Sequence, residues 1–313
     1  MANRAAEVVD KLRSLEEGHR ALVEVVADGS GAVPALRALL LEREPDGLFQ
    51  PRCLAVAALA ALQAYGVLIE YLSTLRARRD PVEQVGDDAV INATARALAD
   101  RREEHVFELL LSLAEARLRP GVIEALGTFR RAEALPYFVA ALADDDSRPA
   151  AEAALRNLGA AASQALMTVA TFPAAEEHEG DSRLRQRRSA LRQLTEIGIG
   201  RQAWPVLRHV MTDRDPILRM LACRLCLAAA PQSEKAKAVR QLIAFMDKAD
   251  WLLLPEIQDC LTTYFDDAQE AIEAALRDDA PDDTPLRKRT LLALRHVKAL
   301  ATARAASGTP HRE

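Results

Sequence analysis

The chain has 313 residues, half of them apolar but only 4% aromatic, and 41 Lys and Arg stand against 46 Asp and Glu for a net charge of −5. That acid excess argues against a protein built mainly to hold nucleic acid, whose domains carry a basic surplus. The longest unbroken apolar run, Leu54 to Leu62, falls well short of the roughly 20 residues a membrane helix needs, so no membrane insertion is expected.

The first residues, with Glu7 and Asp10 close behind Arg4, lack the apolar region of a signal peptide, which predicts a cytoplasmic protein. Ala, Leu and Arg dominate, a helical composition. Helical periodicity then divides the chain into pairs near 3–28, 31–65, 66–100, 103–130, 132–158, 160–199, 201–230, 233–265 and 266–300. In Arg148 to Leu158, for instance, Ala151, Ala154, Leu155 and Leu158 share one face, and Gly159 supplies a stop. Ala125-Leu126-Gly127 and Ile197-Gly198 read as the same ending.

Two strings fix the period. Asp-x-x-Leu-Arg occurs at Asp181–Arg185, Asp215–Arg219 and Asp283–Arg287, separated by 34 and then 68 residues, twice 34. Apolar-Pro-x-apolar occurs around Pro34, Pro136 and Pro205, separated by 102 and 69. A fixed period of this size marks a stacked repeat. Pro suits the first turn of the first helix of a pair, helix A, where N–H groups lack partners anyway. Asp suits the N-cap of the second, helix B, with the following Leu turned inward and the Arg free to cross to an acidic residue of the next unit.

Asp215-Pro216-Ile217-Leu218-Arg219 and the small-residue-rich helix after it resemble the bacterial HEAT-repeat pattern, of the short kind also found in phycobilin lyases. The resemblance covers about residues 31–300 and implies an all-α, right-handed α-solenoid of about eight or nine antiparallel helix pairs. The expected organisation is a single solenoid over 1–300, with a cap pair at 1–30, central repeats at 31–265 and a second cap pair at 266–300. Residues 301–313 read as a disordered tail. Both ends look closed by polar-backed helices, which predicts a monomer.

Candidate binding residues follow from the repeat. Arg185, Arg188 and Arg192 form one stripe beside the apolar face of Leu184, Leu191, Leu194 and Ile197, and Arg219 and Arg287 hold equivalent positions. In HEAT proteins helix B lines the concave surface, so these guanidinium groups are placed to meet a carboxylate or phosphate. A solvated face or an inter-repeat ion-pair ladder would use the same residues. The turns from helix A to helix B are long at 42–51, 76–88 and 172–183, and acidic, with Asp87, Asp88 and Asp144 to Asp146 among their carboxylates. Leu48 and Phe49 are candidate apolar anchors on that edge, and Trp251 stands at the start of a helix B.

No catalytic or metal-binding constellation is legible. Cys223 and Cys226 share a helix face, but no His completes a zinc set, and buried reduced thiols are the simpler reading. No cofactor is expected. The sequence therefore favours a non-catalytic scaffold or adaptor whose partner is another protein, bound through the concave face and the A-to-B edge. Nucleic-acid binding, as in HEAT-like DNA glycosylases, and a phycobilin-lyase-like chaperone are the alternatives.

Overall fold

The structure, a computed structural model, describes residues 2–14, 16–41, 49–75, 80–172, 180–277 and 284–307. These form helices and no strand, and they fall into two compact units, Met1–Leu158 and Gly159–Glu313. Among the described residues the first unit holds five helix pairs: α1 (Ala2–Asp10) with α2 (Gly18–Ala27), α3 (Val33–Leu41) with α4 (Gln50–Ala61), α5 (Tyr65–Ser73) with α6 (Pro81–Ala97), α7 (Glu104–Ala116) with α8 (Pro120–Phe129), and α9 (Leu135–Ala141) with α10 (Arg148–Leu158). The second unit holds four: α11 (Ser163–Thr171) with α12 (Asp181–Ile197), α13 (Trp204–Leu207) with α14 (Pro216–Ala229), α15 (Gln232–Met246) with α16 (Leu253–Thr263), and α17 (Phe265–Arg277) with α18 (Pro285–Ala306). Helix α18 runs past Leu300 to Ala306, so the start of the expected tail is helical; residues 308–313 lie outside the described residues.

Within each unit most helices pack on their own partner and on the corresponding helix of an adjacent pair. In the first unit α2, α4, α6, α8 and α10 stack in order as one layer; in the second α12, α14, α16 and α18 do the same. This nearest-neighbour pattern is what a repeat with one apolar stripe per helix produces, because each unit buries its face only against adjacent units. Leu36, Leu40, Leu59, Leu68, Phe107, Leu110, Ile123, Leu126 and Phe138 are fully buried between the layers of the first unit. The second is filled by Leu166, Leu191, Leu194, Trp204, Leu207, Leu218, Leu242 and Ile257. A fully buried side chain of this size contributes about 1.5–3 kcal/mol.

Pro34, Pro136 and Pro205 are each the second residue of a helix A, as their spacing predicted. The Asp string behaves unevenly. Asp215 caps α14, its carboxylate accepting from the Leu218 N–H at 2.9 Å, and Leu218 is buried. Asp181 is instead the first residue of α12, with Gly180 at the cap and Leu184 half-buried. Asp283 lies outside the described residues; Thr284 caps α18 and Leu286 is exposed. Sequences outside the string supply equivalent caps, Asp80 accepting from Val82 and Glu83 and Asp250 from Leu252 and Leu253.

Gly127 is not a stop. It lies inside α8, buried, and a Cβ there would come within 2.8 Å of the Ala154 Cβ on α10. The glycine lets two layer helices approach closely, while α8 ends at Arg130 in the left-handed region, φ 53°. Gly198, at φ 84°, does terminate α12.

Candidate functional site on the inner helix layer

The second unit carries a cleft of 1610 Å³ on its layer of B helices. One wall is the C-terminal end of α12, from Arg192 to Gly198. The floor is α14 and α16, through Leu221, Arg224, Ala228, Glu256 and Asp259. Tyr264, Phe265 and Asp266, at the junction of α16 and α17, lie on a further side. Opposite α12 stand Ala301, Thr302, Arg304 and Ala305, the last turns of α18. The stretch of sequence with least apparent structure thus completes the cleft.

Its charges are tied together across repeats. The Arg192 guanidinium donates to Glu256 at 3.0 Å, reaching from α12 past α14 to α16, and Arg224 pairs with Asp259 at 3.3 Å. Both pairs are substantially exposed, and such pairs are worth less than about 1 kcal/mol each. Burial, followed by the neighbouring Cys260, raises the Tyr264 phenol above its usual range and keeps it a neutral donor. Cys260 itself is pushed up to about 12 by burial.

The arginine stripe divides when placed in three dimensions. Arg192 faces the cleft. Arg188 forms a bidentate pair with the α14 cap, Nε to Asp215 Oδ1 at 3.1 Å and a shorter contact to Oδ2, and so welds α12 to α14. Arg219 lays its guanidinium 4.6 Å from the Phe245 ring of α15, on the other helix layer. Arg185 and Arg287 are half-buried, each with a partner of its own. Arg187, between the predicted residues, is buried; it donates to the Ala170 carbonyl at 3.2 Å and to Asp213 at 2.5 Å. All three of Arg187, Arg188 and Arg192 therefore pair across repeats, and of these Arg192 lines the cleft.

The acidic edge also changes. Asp87 and Asp88 lie inside α6, not in a turn, since Asp80 and Pro81 start that helix. Asp87 is buried against Arg52 of α4 at 2.7 Å; Asp88 receives Arg119 at 2.6 Å and Arg117 at 2.9 Å. They are ties between neighbouring B helices, and neither presents a charge to a partner. Asp144 accepts from the Ser147 N–H at the start of α10, and Asp145 pairs with Arg148. Leu48 lies outside the described residues, as do 42–47, 173–179 and 278–283, which hold most of the other edge carboxylates. Phe49 is exposed at 39% as the residue before α4. Trp251, 79% exposed beside Leu252, is the most open large apolar side chain among the described residues of the second unit.

Arg224, Glu256, Asp259 and Arg304 were not singled out by the sequence. A signal existed, because Arg192, Arg224 and Glu256 are separated by 32 residues each and Glu196, Ala228 and Cys260 by the same interval. The interval is obscured because it differs from the 34-residue string that fixes the period.

Among the described residues no group of three or more His, Cys, Asp and Glu is placed to hold a metal ion, and no helix is long and apolar enough to cross a membrane. The helix layers define the fold class among the described residues: an all-α repeat of stacked antiparallel helix pairs. No protein family and no curated protein matches the chain. Among solved structures, an engineered protein aligns over 97% of this chain and 92% of its own, with a TM-score of 0.40 and 17% identity. The complex of CpcE and CpcF of phycocyanin lyase from Nostoc sp. PCC7120 aligns over 84% of this chain and 92% of its own, with a TM-score of 0.34 and 20% identity. Likeness at this level leaves function to the site itself.

Proposed function

We propose that the chain is a non-catalytic interaction scaffold that binds another protein, with the cleft of the second unit and the adjoining edge at Trp251 and Leu252 as its contact surfaces. The observation that carries this reading is the cleft: 1610 Å³, open, spanning four successive B helices, and lined by ion pairs weak enough to be exchanged. A cleft of that size exceeds the ~300–1,000 Å³ of small-molecule pockets and suits a segment of polypeptide. Its apolar floor residues supply contact area while its paired charges set register.

The test is affinity capture from native lysate with quantitative mass spectrometry, using the intact chain and an Ala228→Trp variant. Ala228 is exposed on the floor, so the indole fills the cleft without entering the core. A partner retained by the parent chain and lost on Ala228→Trp supports the reading. Capture unaffected by that change and by Trp251→Ala refutes both surfaces, and recovery of nucleic acid alone refutes the protein-scaffold role.

A further inference from the structure

Helix α18 is charged in one sign only. Across 284–307 it carries Arg287, Lys288, Arg289, Arg295, Lys298 and Arg304 and no Asp or Glu, within a chain whose net charge is −5. A helix surface kept merely soluble mixes both signs. Part of this charge is spent inside the fold. Arg289 caps the end of α15, donating to the Met246 and Ala249 carbonyls at 3.0 and 2.8 Å; Lys298 pairs with Glu273 at 3.3 Å; Arg287 and Lys288 have partners of their own. Arg295 and His296 are exposed and have no side-chain partner among the described residues.

These two flank an apolar ridge. Helix α18 packs on α16 and α17 through Thr290, Ala293, Leu294 and Val297. Turned away from both, Leu292 is 68% exposed, and Ala299, two helical turns on, is exposed as well. Leu292 thus stands as an exposed apolar side chain beside an unpaired arginine and a histidine, with a small residue two turns on.

From this we infer that the outer face of α18 is a second docking surface, distinct from the cleft, and that its occupant is an acidic amphipathic helix of a partner protein stacking on α18 as α18 stacks on α16. The occupant's carboxylates meet Arg295 and His296, and its apolar ridge covers Leu292. A lipid surface fits less well, since interfacial helices carry a broad apolar face and this one offers a leucine and alanines. Duplex nucleic acid would leave Leu292 stranded against phosphates.

The probe is a fluorescein-labelled synthetic helix with a leucine ridge and Glu flanks, titrated into the intact chain at low salt and followed by anisotropy. A peptide with every Glu replaced by Lys, phosphatidylserine vesicles and a DNA duplex are titrated in parallel. Binding of the acidic peptide is expected, weakened about tenfold by the double variant Arg295→Glu/His296→Glu, the effect of removing the arginine's attraction and adding two carboxylates that repel the peptide's own. Leu292→Asp should weaken it comparably, and Ala228→Trp should leave it unchanged. All three sites are exposed, and circular dichroism verifies folding. The inference is overturned if the acidic peptide does not bind, if either α18 variant binds as well as the parent, or if the basic peptide, vesicles or duplex bind equally. Loss of binding on Ala228→Trp would assign the peptide to the cleft and overturn it too, as would sedimentation showing that the chain pairs with itself through Leu292.

Discussion

Removing the Arg52 guanidinium should destabilise the first unit far more than a surface charge would. Arg52 and Asp87 are 7% and 4% exposed and their charged groups stand 2.7 Å apart between α4 and α6, so neither charge can fall back on water. Taking away the guanidinium leaves the buried Asp87 carboxylate without its Arg52 counter-charge, which costs about 3–5 kcal/mol, whereas an exposed pair yields less than about 1. At the usual sensitivity of a unit the size of Met1–Leu158, that corresponds to roughly 6–20 °C in Tm. The assay is urea and thermal unfolding of Arg52→Met, Asp87→Leu and the double variant. Each single change is expected to show the full cost, and the double change to recover most of it, because a well-packed apolar pair replaces a buried ion pair at little penalty. A single-variant loss below about 1 kcal/mol, or a double variant equal to the sum of the singles, would refute the argument that this pair is desolvated and coupled.

Glycine spacing between layer helices gives a second test. A Cβ at Gly121 on α8 would lie 2.5 Å from the Asn92 carbonyl oxygen of α6, so Gly121→Ala must push the two helices apart and should cost about 1–3 kcal/mol by urea unfolding. Gly66→Ala on α5 meets nothing within 4 Å and should instead stabilise by about 0.4–1 kcal/mol. For Asp213, burial alone would raise the pKa, but the Asp215 N–H and the Arg187 guanidinium outweigh it and hold the carboxyl below its ordinary range. A depressed carboxylate contributes stability that is present above its unfolded pKa of about 3.9 and lost as pH falls below it. Thermal melts of Asp213→Asn should therefore differ most from the parent at neutral pH and converge in strong acid. Burial also pushes Cys226 and Cys260 up to about 12 and Cys223 higher still. In a thiol titration of the folded chain Cys53, the least buried, should react first and the other three only on unfolding.

The sequence made the helix pairs legible because their determinants are local. Pro34, Pro136 and Pro205 open helices wherever they fall, and an i, i+3, i+4 apolar stripe forms the same helix whatever it later packs against. Asp215 read correctly as a cap because capping needs only the next three residues. Gly127 was legible as a glycine that matters but not as one inside a helix, since its reason, Ala154, belongs to the next pair.

Charged residues were the least legible, and for one physical cause. A carboxylate in a polar stretch looks the same whether it faces water or a guanidinium 30 residues away, so Asp87 and Asp88 read as an exposed edge and proved to be ties between helices. Arg188 and Arg192 are one helical turn apart on α12, yet one is committed to Asp215 and the other spans the cleft to Glu256. Sequence by itself determined the helices and their pairing, because those follow from backbone geometry and nearest-neighbour burial. Only the tertiary structure decided which charges are consumed within the stack and which line a surface, because that depends on what each next repeat brings opposite, at distances no local pattern encodes.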